Sequence, residues 1–201
     1  MDVKLQSPVP PVNMLGDHVS QQETTLRLHC HDSSFKNATV VDAEGKPVFR
    51  VEGATFGTSW SWRRKVFDAT TNQHLFDFRH ESLDIKNRWV VEDTTGRKLC
   101  SIVHKNQLTT NHSAVDATVR TRVGEDVLVT MRPQDEAALM TTISVDGTAI
   151  ATIHMDSGKA TTFGRDQDNS VWELRVAAAT DLTMIIALAL CRAEMRHVWW
   201  Q

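Results

Sequence analysis

Ten residues near the carboxyl end, Leu182-Thr-Met-Ile-Ile-Ala-Leu-Ala-Leu-Cys191, leave this chain little choice of architecture. Only Thr183 among them is polar, so a helix here has no face suited to water and must be buried, in a core or in a bilayer. A bilayer span needs about 20 apolar residues, roughly twice this run. Asp181 closes the run on one side, and Arg192, Glu194 and Arg196 close it on the other. The stretch therefore predicts the axis of a soluble core. The helix is expected over about 181–195, with Asp181, Leu182, Ile185, Ile186, Ala189 and Leu190 as its structural residues. Asp181 or Thr180 can cap it, accepting hydrogen bonds from free backbone amides at the positive end of the helix dipole.

The chain ahead of that helix must supply its wall. Residues 1–24 carry Pro8, Pro10 and Pro11 and few large apolar groups, which reads as a flexible tail. Twelve strand-like segments then follow at short spacing: 26–31, 39–42, 47–52, 65–68, 74–79, 89–92, 98–104, 116–123, 127–132, 139–145, 149–155 and 171–176. Turn residues separate them, most clearly in Ala43-Glu-Gly-Lys46, Asp93-Thr-Thr-Gly-Arg97 and Asp146-Gly-Thr148. Three hairpins share one pattern: an apolar residue, an Asp, a Gly-containing turn, then alternating apolar positions. Their irregular spacing marks repeated hairpin chemistry rather than a solenoid. Alternation gives each strand one apolar face, as in Val127-Leu-Val-Thr-Met131. Many such strands in a meander can close into a barrel and so remove exposed edges. A wide barrel needs a filling that side chains alone cannot supply. The expected fold is mainly β: a closed antiparallel barrel of about twelve strands around a C-terminal hydrophobic α-helix, one domain over 25–201.

Composition narrows the function. Over 201 residues the charged share is 23% and the net charge −3, which argues against bulk nucleic-acid binding. Cys30, Cys100 and Cys191 are too few and too scattered for a disulfide framework or a Cys-based zinc site. The amino terminus has no apolar signal-peptide core, so the expected compartment is the cytoplasm. Without a secretory signal, the glycosylation sequons at Asn37 and Asn111 read as chance matches.

The order of parts resembles the LURP-one-related proteins, which share the tubby C-terminal-like barrel with tubby proteins and phospholipid scramblases. The resemblance is carried by the hairpin Val40-Val-Asp-Ala-Glu-Gly-Lys-Pro-Val-Phe-Arg-Val51 and by Val66-Phe-Asp68 with Leu75-Phe76. Trp89 ahead of a strand-turn-strand, and the helix opening Asp181-Leu-Thr-Met-Ile-Ile-Ala-Leu188, complete it. It spans roughly residues 25–196. It implies a closed barrel around a buried helix and, for most members, no established enzymatic activity. Tubby relatives bind phosphoinositide head groups through basic residues on the barrel wall; none of those residues is carried over to a position here. The palmitoylated cysteine run and the long carboxyl-terminal membrane anchor of scramblases are absent, which counts against scrambling.

Among charged groups, Arg63-Arg64-Lys65 behind Trp60 and Trp62 is the most suggestive, and Lys86 and Arg88 beside Trp89 repeat the theme. Five cations near aromatic rings could grip anionic phospholipid head groups at a membrane surface. The plainer reading is solvated strand ends, and charge runs are usually wet surface. His29 and His31 lie on one side of a strand, yet two imidazoles are not a metal site, and a structural role is favoured. Gly158-Lys159 lacks the P-loop glycine, since Ile153 holds that position. No Gly-x-Ser-x-Gly elbow is present, and His80, Glu81 and Asp84 are an acid–base set by sequence proximity alone. The adjacent Trp199 and Trp200 are either a plug at the barrel end or an exposed contact. No catalytic residue, metal or cofactor is expected. The expected function is a non-enzymatic binding or tethering module that touches membranes peripherally, with anionic phospholipid as ligand. A protein-interaction adaptor without lipid affinity is the rival. A barrel enzyme or small-molecule carrier is disfavoured because the helix fills the volume a ligand needs.

Overall fold

A computed structural model describes residues 3–31, 37–53, 63–81, 88–105, 114–135, 138–156 and 170–199, with side chains as far as Arg196. Among these, twelve strands precede one helix. They are β1 (Thr24–Cys30), β2 (Ala38–Val41), β3 (Pro47–Gly53), β4 (Arg64–Asp68), β5 (His74–Glu81), β6 (Arg88–Glu92), β7 (Lys98–His104), β8 (Val115–Arg120), β9 (Asp126–Pro133), β10 (Met140–Val145), β11 (Thr148–Met155) and β12 (Val171–Val176), followed by α1 (Leu182–Trp199). Each strand pairs antiparallel with its sequence neighbour, and β1 pairs with β12 from Thr24↔Val176 to His29↔Val171, closing the barrel.

Register assigns the alternating residues to two sides. Val115↔Met131, Ala117↔Val129 and Val119↔Val127 pair across β8 and β9, and Val129 and Met131 are fully buried. Leu128, next to Val129 in the strand, points outward and is 52% exposed, as the period of two requires. Large inward side chains (Phe49, Phe76, Phe78, Trp89 and Trp172) line the wall, while the helix contributes Ala187, Ala189 and Ala193 among its longer residues. Short side chains on the rod and long ones on the wall let the two interdigitate, so the barrel interior is a packed core. Ile185, Ile186 and Ala189 are 0% exposed, Leu190 is buried, and Leu182 at the first turn is partly buried. The helix continues past the expected end near Met195 to Trp199. Arg192 and Glu194, expected to mark its emergence into water, are themselves buried, because interior partners meet them.

Asp181 starts the helix at the end of the barrel that carries the short hairpin turns. One carboxylate oxygen accepts from the Thr183 amide at 2.9 Å, capping the helix. The other accepts from the amides of Leu15 and Gly16 at 2.9 and 3.0 Å. The expectation of a flexible tail over residues 1–24 is corrected here: Val12 and Met14 join the core, and the segment straps the turn end of the barrel. Its anchors are Arg122 N–H to the Asn13 carbonyl, Leu182 N–H to the His18 carbonyl, and the Ser20 hydroxyl to the Ala177 carbonyl. Gly16 takes a left-handed φ of 81°, and a Cβ there would meet the Arg122 side chain at 2.7 Å, so this crossing requires glycine. Few apolar residues are enough to hold such a segment when its amides find buried acceptors.

Aspartates that open two of the turns accept from the residues that follow them. The Asp68 carboxylate accepts from the Thr70 and Thr71 amides at 2.8 and 2.7 Å and meets His18 Nε2 of the strap at 2.8 Å. The His18 hydrogen bond, seconded by the Thr71 amide, holds the Asp68 carboxyl down to about 2. In the β6–β7 turn the Thr95 hydroxyl leads a similar set that holds Asp93 at about 2. A carboxylate with a depressed folded pKa stabilises the fold above its unfolded value and loses that contribution as pH falls through the folded one. Thermal melting is therefore expected to be insensitive to these groups above pH ~4 and to fall between pH ~4 and ~2. Asp68→Asn should flatten that fall, whereas an unchanged acid limb in the variant would show that Asp68 contributes nothing to it.

Candidate functional site

Strand geometry separates Arg64 from the cations expected to act with it. Arg63, Arg64 and Lys65 occupy successive positions of an extended chain, and successive side chains take opposite faces. Arg64 points into the barrel at 2% exposure and pairs through Nη1 with Glu194 Oε2 of α1 at 2.6 Å. It is an interior residue, which removes it from any surface patch. Arg63 and Lys65 face outward with β5 and β6 residues, and Lys65 is exposed. Lys86 and the two tryptophans Trp60 and Trp62 lie outside the described residues. Arg88 is outward on β6, opposite Glu81 of β5.

The outer wall over β4, β5 and β6 is a chain of ion pairs rather than a basic patch. His74 Nε2 meets Asp77 Oδ1 at 2.9 Å, and Arg63 Nη1 meets Asp77 Oδ2 at 2.6 Å. Arg63 Nη2 reaches Glu92 at 3.2 Å, and Glu92 also accepts from Arg79 Nη2 at 2.8 Å. Arg79 touches Glu81 at 3.2 Å, and Arg88 lies 3.9 Å from Glu81. The Arg79 hydrogen bond holds the Glu92 carboxyl below the usual range, and the same contact raises the Arg79 guanidinium. Three carboxylates are thus interleaved with three arginines on one wall. Such a surface offers alternating charge to a partner, with Arg63 and Arg79 each held by two carboxylates.

The inward-pointing polar groups lie at the far end of the barrel from Asp181. Burial pushes the His80 imidazole down, and Glu194 and Arg64 are its nearest interior charges. Its neighbour Glu81 is on the outer face, and Asp84 lies outside the described residues, so the structure does not assemble these three as a set. Cys100 and Cys191 are both enclosed; burial pushes the Cys100 thiol up to about 12 and Cys191 well above its ordinary value. Thiols so protonated are poor nucleophiles. Cys30 points inward between His29 and His31, and His31 Nε2 meets the Thr39 hydroxyl at 2.9 Å. Among the described residues no group of three or more His, Cys, Asp or Glu could hold a metal ion, and no helix is long and apolar enough to cross a membrane. The backbone of Trp199 belongs to α1, and Trp200 is outside the described residues.

Alternation alone excluded a common face for Arg63, Arg64 and Lys65, so that part of the correction was legible from the chain. The partners Asp77, Glu92 and Glu194 were not, since each is brought in by register or by threading of the helix.

No curated protein matches this chain. The X-ray structure of a protein from Arabidopsis thaliana is similar at a TM-score of 0.63 over 92% of this chain and 99% of that one, with 13% identity, a likeness of fold. A family model described as LURP-one-related matches residues 24–193, from the first residue of β1 well into α1, and the chain belongs to that family.

Proposed function

We propose that this protein is a non-enzymatic binding module of the cytoplasm that docks a protein partner on the wall formed by β4–β6. One observation carries the reading: of the cations expected to hold lipid, Arg64 is turned inside and Arg63 is already engaged by Asp77 and Glu92. An anionic membrane attracts through uncompensated positive charge. A wall of alternating charge instead suits a partner carrying the opposite alternation, which yields specificity and register. The filled interior supports the same conclusion, because the helix leaves the inside of the barrel to packing rather than to substrate. LURP-one-related barrels are in general non-catalytic, and a binding role agrees with that.

The lipid reading keeps one support: Arg63, Lys65 and Arg88 share this wall, and Lys65 is exposed. Flotation separates the two. Wild-type protein is expected to remain unbound with vesicles of neutral lipid and with vesicles containing phosphoinositide. Phosphoinositide-dependent flotation that Arg63→Glu abolishes would restore lipid as the ligand of this wall and remove the protein-docking reading.

A further inference from the structure

Arg192 is buried to 2% exposure, yet its contacts are to neutral groups. Nε donates to the Thr141 hydroxyl at 3.3 Å, Nη2 donates to the Ala138 carbonyl, and the guanidinium lies 5.3 Å from the centroid of the Trp172 ring. Arg64, the other buried guanidinium of this end, has Glu194. Arg192 has no such carboxylate among the described residues. Among the described residues the acid within electrostatic reach is Asp135, and its oxygens are occupied by the Leu139 and Met140 amides at 3.0 and 2.8 Å. Arg196, one turn further along α1 and partly exposed, brings a second positive charge. Burial, reinforced by Arg196, holds the Arg192 guanidinium down to about 10. The negative end of the helix dipole favours cations, but it acts over the last turn, and Arg192 is about two turns inside Trp199.

Buried charges are ordinarily paired, because desolvation without a counter-charge is costly. We propose that the mouth of the barrel at Arg192 and Arg196 is an oxyanion-binding site that takes a phosphate group against the guanidinium of Arg192 beside Trp172. The planar guanidinium matches the geometry of phosphate oxygens, and Arg196, nearer to solvent on the same helix face, draws the anion in. This site is at the end of the barrel, separate from the wall over β4–β6, and stands or falls independently of the docking reading.

The test uses the full chain with inorganic phosphate as the probe. Melting midpoints are followed for wild type, Arg196→Gln and Arg192→Met as chloride is replaced by phosphate at constant ionic strength. Wild type should gain about 3 °C and then saturate. Arg196→Gln should need at least about tenfold more phosphate to reach the same gain, since one of two charges is lost. Arg192→Met should show no saturable gain, and in chloride should melt no lower than wild type, because an unmatched buried charge has been replaced by an apolar chain of similar length. A linear rise shared by all three proteins would be the general excluded-solute effect of phosphate and would overturn the site; so would no rise at all. Should Arg192→Met fail to fold, the comparison with Arg196→Gln decides alone. Phosphoinositide vesicles then identify the source. Flotation lost in Arg196→Gln assigns the phosphate to a lipid head group, and a saturable phosphate response without flotation assigns it to a free ligand. Flotation that Arg63→Glu abolishes and Arg196→Gln leaves intact would overturn the wall's docking role and leave this site untouched.

Discussion

Ile186→Asp is expected to yield no folded protein. Ile186 is 0% exposed at the middle of the rod that the wall encloses, among Phe, Val and Ile side chains of the same core. The substitution removes an apolar side chain and places a carboxylate where no donor was provided. Burying a polar group without a partner, added to the lost packing, reaches the rare class of single changes above about 5 kcal/mol, comparable to the whole stability of a typical domain. Expression of the variant should give insoluble protein, or a chain without a cooperative thermal transition. Ile186→Val serves as the control, expected to fold and to lose about 1 kcal/mol by urea unfolding. Soluble Ile186→Asp with a cooperative transition near that of wild type would mean that the rod is not the core.

The second large effect concerns the pair Arg64–Glu194, joined at 2.6 Å with both side chains at 5% exposure or less. Glu194→Ala removes the carboxylate that faces the Arg64 guanidinium inside the barrel, where the guanidinium lies 5.8 Å from the Phe78 ring. Removing one partner of a buried pair costs about 3–5 kcal/mol, most of it the penalty of the charge left behind. The double variant Arg64→Met/Glu194→Leu, with apolar chains of similar volume, should recover most of that loss, and it isolates the charge from the packing. Urea unfolding of Arg64→Met, Glu194→Leu and the double completes the cycle. If Glu194→Ala unfolds at the wild-type midpoint, the pair is not holding the second half of α1 in place. The pair also accounts for the helix staying buried past Cys191 at Glu194, where a carboxylate on the helix meets a guanidinium on the wall.

The strap over residues 12–20 shows where reading the chain fell short. Pro8, Pro10 and Pro11 just ahead of it, and few large apolar residues over 1–24, give it the pattern of a tail, because the segment cannot bury itself. Its stability comes from elsewhere: Asp181, more than 160 positions away in sequence, accepts the amides of Leu15 and Gly16. Asp181 itself was legible as a cap, since a short acceptor before an apolar helical run has a local meaning. Its second role was not, because that role depends on which segment crosses the barrel end.

The chain alone carries the alternation that makes twelve strands, the turns that join them in order, and the apolar rod that obliges them to close around it. Those properties follow from local periodicity and from the inability of an all-apolar helix to face water. Which charges meet is a property of the folded molecule: Arg64 with Glu194 inside, Arg63 with Asp77 and Glu92 outside, and Arg192 with no ion-paired acid among the described residues. Charge pairing over such distances is set by strand register and by the depth of the helix in the barrel, and both are fixed by packing of the whole molecule rather than by any stretch of it.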